Sequence, residues 1–247
     1  MEGMTRRAAL AMGTLPVMTG VAAYATRGMW NGDSARAFTP AGPARTALQQ
    51  RHLPNVSLVT HDGRKVRFYD DLVRDKRVVL TFVSSSAAAE SQKVTHNLAA
   101  IQRLFGTRVG KDMFLYSIAR TPERDTPVAL QRWATWSGAG PGWKFLTGRP
   151  SDVERLRRSL GFGSDDPAED ANPAFSVGVV RYGTEPEMRW GHCQSQADAR
   201  VIAHSLLLDF GLGKADPRSP VARRFGTAAS PGGAPVWNCQ LLLKSVS

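Results

Sequence analysis

The chain has 247 residues, which suits one domain of ordinary size with extra segments at its ends. Hydrophobic residues at 42% and charged residues at 21% supply a core and exclude a wholly disordered chain. The formal net charge is +11, but the arginines are dispersed and no RNP, zinc-finger or helix-turn-helix pattern accompanies them, so a solvated basic face is expected and no nucleic acid. At the N-terminus, Thr5-Arg6-Arg7 precedes an apolar stretch from Ala8 to Ala25 that ends in Ala23-Tyr24-Ala25. A basic start, an apolar middle and an A-x-A end describe an export signal, and the paired arginines resemble a twin-arginine signal. The stretch is rich in Ala, Gly and Thr, which makes it weak as a permanent span. Cleavage and an uncleaved anchor both stay open, and both place the domain outside the cytoplasm, in the periplasm or at the periplasmic face of the inner membrane. Residues 26–50 carry Gly, Pro, Ala and Ser with little periodicity and read as a linker.

A compact pattern occupies residues 51–213. Asn55–Thr60 and Val66–Tyr69 flank Asp62-Gly63, a hairpin signal. Arg77–Val83 is a near-continuous apolar run, as a central buried strand should be. A loop from Ser84 to Ala89 follows. Gln92–Phe105 then repeats apolar residues at helical spacing. Met113–Ala119 reads as a second buried strand. Pro127–Trp136 reads as a helix entered through Thr126-Pro127, a cap followed by an N1 proline. Lys144–Thr147 reads as a strand and Ser151–Leu160 as a helix, with Ser151 and Glu154 as a capping box. Ser164–Asp170 is expected as a solvated acidic loop. Phe175–Arg181 and Glu187–Trp190 read as a hairpin around Gly183, and Ala197–Phe210 as the last helix. Residues 214–247, rich in Pro and Gly, read as a loosely ordered tail. The order of elements predicts an α/β sandwich with a mixed sheet, compatible with a thioredoxin-like fold.

Three stretches together resemble one family. They are Val79–Leu98, then Tyr116-Ser117-Ile118 with Thr121-Pro122-Glu123-Arg124-Asp125-Thr126-Pro127, then Gly140-Pro141-Gly142-Trp143-Lys144-Phe145-Leu146-Thr147-Gly148. In order and spacing they are similar to the SCO/SenC family, over roughly residues 51 to 210. The resemblance implies a thioredoxin-like copper chaperone of cytochrome oxidase assembly, with a CxxxC loop after the central strand and a distal histidine. Cuprous copper is soft and favours thiolate, with imidazole as a further ligand, and a thiol pair also permits disulfide exchange. Here the positions that correspond to the cysteines are Ala87 and Ser91, and the histidine position is Ala171 in Ala171-Asn172-Pro173, or nearer Ser176 in a different register, with no histidine between Leu160 and Trp190. Thr121 replaces the aspartate that opens the family's "DPERDTP" segment. No family copper site and no cofactor are therefore expected.

The two cysteines, Cys193 and Cys239, are too far apart in sequence for a CxxC or CxxxC motif. Whether they pair as a disulfide is open. His192-Cys193 is the only adjacent pair of good ligands, and it is the seed of any relocated thiol or metal site. His52 and His61 are expected in solvent, and His96 and His204 on helices as structural residues. No nucleophile elbow, Walker loop or EF-hand spacing appears. The expectation is a non-enzymatic SCO-like protein. It would bind a protein partner, a respiratory oxidase subunit or a copper-handling protein, and its basic surface would suit an anionic membrane. The alternative is a metal or thiol-redox protein with its site around Cys193 and His192.

Overall fold

The computed structural model describes residues 43–212. The expected export segment, most of the expected 26–50 linker, the expected tail and Cys239 lie outside the described residues. The elements in chain order are α1 (Pro43–His52), β1 (Ser57–Thr60), β2 (Lys65–Arg67), β3 (Arg77–Val83), α2 (Ala88–Phe105), β4 (Phe114–Ala119), α3 (Pro127–Ser137), β5 (Trp143–Gly148), α4 (Pro150–Ser159), α5 (Pro167–Ala171), α6 (Pro173–Val177), β6 (Val179–Thr184), β7 (Arg189–Gln194) and α7 (Ala199–Asp209). The strands form one mixed seven-stranded sheet in the order β2-β1-β5-β4-β3-β6-β7. β3, β4 and β5 run parallel, and the hairpins β1–β2 and β6–β7 flank them antiparallel.

β3 shows why this sequence makes a central strand. Val79 and Val83 face one layer, where they meet Val94, Leu98 and Ile101 of α2, Leu130 of α3 and Ile202 and Leu206 of α7. Val78, Leu80 and Phe82 face the other, against Val153 and Leu156 of α4 and Phe68, Leu72 and Leu53. Alternate residues of a strand point to opposite faces, so a run apolar on both faces needs cover on both. The result is a thioredoxin-like α/β/α arrangement. Its parallel centre ends at one edge, where the chain turns from β3 into α2 and from β4 into α3.

Several elements differ from the sequence reading. Residues 43–50 of the expected linker are helical, as part of α1. The second strand of the first hairpin stops at Arg67, and Phe68–Val73 forms a single π-helical turn that buries Phe68, Leu72 and Val73. α4 begins at Pro150 with Arg149 at its cap, so Ser151 does not cap it, and Glu154 turns to arginines instead. The acidic stretch is not simply a solvated loop. Pro167–Ala171 and Pro173–Val177 are two short helices, capped by the side chains of Asp166 and Asn172. The strand expected from Phe175 therefore starts at Val179. The second hairpin turns at Glu185–Met188, with Met188 left-handed at φ 50°, and not at Gly183. Gly183 lies inside β6 opposite Trp190, where a Cβ would overlap the indole.

α1 is fastened to that turn. Glu185 is fully buried and accepts from Arg45 Nη2 at 2.9 Å, from the Tyr69 hydroxyl at 2.9 Å and from the Asp75 N–H at 2.9 Å. Burial pushes the Glu185 carboxyl up, but the Asp75 N–H, Arg45 and Tyr69 outweigh it and hold the group below its ordinary value. A carboxyl depressed in the folded state contributes stability above its unfolded pKa and loses it as pH falls through the folded value. Acidification below about pH 4 is therefore expected to release α1. In hydrogen exchange the α1 amides should be protected at pH 7 and lose that protection at low pH, with the amides of β3 as the control. Unchanged protection of α1 amides in hydrogen exchange at low pH would contradict this.

Candidate functional site

The first candidate region lies where β3 ends and α2 begins. Ser84 N–H donates to Ser91 Oγ at 2.8 Å, and Ser91 Oγ donates back to the Ser84 carbonyl at 2.9 Å. The Ser91 hydroxyl is thus engaged both as donor and as acceptor, at a fully buried position. A second set of bonds runs outward. Ser86 N–H donates to Ser84 Oγ at 3.1 Å, Ser84 Oγ lies 3.0 Å from Thr121 Oγ1, and Thr121 Oγ1 donates to Asp125 Oδ2 at 2.6 Å. Thr121 spends its one proton on Asp125, so the shared bond is donated by Ser84. The buried Asp125 also accepts from Ser85 N–H at 3.3 Å. The hydroxyls form a one-directional relay ending on a buried carboxylate, and each bond polarises the next. The relay clamps the Ser84–Ala87 turn onto the loop that follows β4.

This arrangement has no soft donor. Ala87 presents a buried methyl at the start of α2, and Ser91 presents a hydroxyl already committed. Ala171, at the end of α5, is exposed. Two adjacent residues link its surroundings to the relay. Thr121 bonds to Ser84, while Arg120 Nη2 donates to the Asp170 carbonyl at 3.4 Å. α6 also packs against the Ser85–Ala87 turn. The three positions read from the resemblance carry two methyls and a hydroxyl. These residues do not fit cuprous copper, which needs thiolate or imidazole. Among the described residues the acceptor that Thr121 meets is the Asp125 carboxylate, and no imidazole or amine bonds to Ser84, Ser91 or Thr121.

Beside Ala171 an open cleft of about 490 Å³ is lined by Arg120, Glu154, Arg158, Asp170 and Ala171 among others. Its floor is held by Arg157, whose side chain is fully buried. The guanidinium donates to both Glu154 oxygens at 2.8 Å, to Asp170 at 2.8 Å and to the Phe162 carbonyl at 3.1 Å. Hydrogen bonds from Arg157 and from the Ser164 N–H hold the Asp170 carboxyl far below its usual range. Glu154 is lowered as well, chiefly by its bonds to Arg157 against the opposing effect of burial. The cleft carries both signs of charge, internally paired.

Cys193 and His192 are neighbours on β7, and the strand sends them to opposite faces. Cys193 is buried in the layer of Ile202 and Leu206, across from Val180. His192 is exposed and stands across from Arg181. The thiol and imidazole do not converge on one point, and Cys239 lies outside the described residues. Among the described residues no group of three or more His, Cys, Asp or Glu side chains is placed to hold a metal ion. His52, His96 and His204 are exposed on helices. His61 departs from the expectation of a solvated side chain. It is half-buried, and its Nδ1 accepts from the Phe145 N–H at 3.1 Å, which ties the first hairpin to β5.

Asp125 and Arg157 were not singled out by the sequence reading. Asp125 lies within the segment that carries the family resemblance, and that was the signal available. Arg157 is one of the arginines for which the sequence predicts only a solvated basic face.

No protein-family model and no curated protein matches the chain. Solved structures do. Copper-bound ScoI of Arabidopsis thaliana matches at TM-score 0.50 and 20% identity, over 63% of this chain and 96% of that one. A protein of Aquifex aeolicus described as a putative electron transfer protein matches at TM-score 0.51 and 19% identity, over 65% of this chain and 97% of that one. A SCO1/SenC family lipoprotein of Bacillus anthracis matches at TM-score 0.50 and 15% identity, over 62% of this chain and 92% of that one. Seven strands in one mixed sheet, helices on both faces and nearly full coverage of these domains give one result: the chain has the thioredoxin-like fold of the SCO proteins.

Proposed function

We propose that the protein is an exported, non-catalytic member of the SCO/SenC family that acts by binding a partner during assembly of a respiratory oxidase or its copper site, without holding copper itself. The observation that carries this reading is the hydroxyl relay. The scaffold around the ligand positions is kept, while the positions themselves carry two methyls and a hydroxyl committed to the Ser84 backbone. Retention of such a scaffold is what a surface-dependent role requires. The basic start and apolar stretch before Ala25 support export, and the +11 charge supports an acidic partner or an anionic membrane surface.

The rival reading, a thiol or metal centre on Cys193 and His192, has the alternation of β7 against it. The test is a pull-down of the tagged full chain from native membranes, with the oxidase subunits and copper-handling proteins quantified. Their enrichment over a tag-only control is the expected result. A second arm measures oxidase copper content in a deletion strain. Recovery of neither class of protein, together with unchanged oxidase copper, would remove the reading.

A further inference from the structure

On α3 the residues Val128, Arg132 and Trp136 recur at four-residue spacing and form one outward stripe. Val128 is 67% exposed and Trp136 60%. Trp133 and Trp136 pack edge to face with ring centroids 5.9 Å apart. With Arg132, and with Gln92 of α2, they line an open cavity of about 240 Å³. An indole and an isopropyl group left largely in water bring nothing to the core, and contiguous apolar exposure of this kind marks interaction surfaces. Trp and Arg are also the residue types that dominate binding hot spots.

Arg132 is the charged side chain that lines the groove, and among the described residues no carboxylate lines it. We propose that this groove docks an acidic segment of a partner protein, which inserts an apolar side chain against Trp133 and Trp136 and sets a carboxylate on Arg132. The proposal rests on the partner-binding reading above and assigns that reading its surface.

The experiment uses the full chain with Trp136 replaced by photoreactive benzoylphenylalanine, irradiated in the native host, with the cross-linked peptide sequenced. The expected product joins this chain to a segment of another protein that is net acidic and carries a large apolar residue. That segment, made as a synthetic peptide, should bind the purified full chain less tightly at high salt. Trp136→Ala and Arg132→Glu should each weaken it about tenfold or more. Both positions are exposed, and an unchanged melting temperature will show that the variants fold. Cross-linking to residues 213–247, to a second copy, to a basic or uncharged segment, or to nothing would overturn the proposal. If oxidase or copper-handling proteins are still recovered with the Trp136→Ala chain, the function stands and this surface falls. A cross-linked acidic segment from a protein outside respiration would keep the surface and remove the assembly role.

Discussion

A chain carrying Ala87→Cys, Ser91→Cys and Ala171→His is expected to bind one cuprous ion tightly, where the unaltered protein takes up none. The expectation follows from the placement of the three positions. Ala87 immediately precedes α2 and Ser91 lies in its first turn. Arg120 and Thr121, adjacent after β4, bond to the Asp170 carbonyl and to Ser84, which links the end of α5 to the same region. Two thiolates and one imidazole meet the preference of a soft ion for soft donors. Anaerobic titration against a chromophoric cuprous chelator reads the result directly. The triple variant should compete with the chelator at one equivalent, and each of the three single reversions should weaken it. Ser91→Cys also removes both bonds that close the Ser84 turn, so the metal-free variant should melt earlier and recover on adding copper. Uptake by the unaltered protein at one equivalent would show that the ligand set lies elsewhere in the chain. Failure of the folded triple variant to bind would show that the three positions do not share one site.

The second large effect concerns stability. Arg157→Ala should lower unfolding free energy by about 2–4 kcal/mol, because it takes the cation from a buried, hydrogen-bonded cluster. The loss is spread over several groups. Glu154 and Asp170 lose their buried cation, the Phe162 carbonyl loses a donor, and a cavity opens beside α4. The carboxylates keep Arg158 and some solvent, which is why the figure stays at the lower end of the range for broken buried pairs. Urea denaturation should show a lower midpoint at unchanged slope. Arg157→Lys should recover only a fraction, since one ammonium cannot span both carboxylates and the carbonyl with the guanidinium's planar geometry. A midpoint equal to that of the unaltered protein would mean that the cluster is not the floor of the cleft.

What the sequence discloses, and what it withholds, divides along a physical line. β3 and α2 are legible because their burial is written in local order: an unbroken apolar run for the strand, and Val94, Leu98, Ile101 and Phe105 at helical spacing for the helix. The family resemblance added three ligand positions, of which Ala87 and Ser91 stand at the entry to α2 and Ala171 at the end of α5. α5 and α6 escaped because five residues are too few to show a period. Their start signals were nonetheless present, in Asp166-Pro167 and Asn172-Pro173, each a cap followed by an N1 proline. The hairpin at Gly183 was misplaced because glycine was read as a turn, whereas its lack of a side chain serves the Trp190 ring. The relay from Ser86 to Asp125 joins residues nearly forty positions apart, and no local pattern encodes such a meeting. Arg157 looks like its neighbours in the sequence. Only its place on the inner face of α4 makes it the one arginine of three that is fully buried.

The fastening of α1 bears on how tension enters the domain. A chain drawn toward a membrane at its amino end would load residue 45 before it reached the first strand. There the load meets a guanidinium locked on a buried carboxylate, whose other bonds go to Tyr69 and to the backbone of Asp75. Force is thus diverted sideways into the far hairpin and does not peel β1 from β5. The edge that would unzip most easily, the short β2–β1 pair, is shielded as long as that ion pair holds. Glu185 serves this part of the molecule as a strain relief, in the sense an engineer gives the clamp where a cable enters its housing.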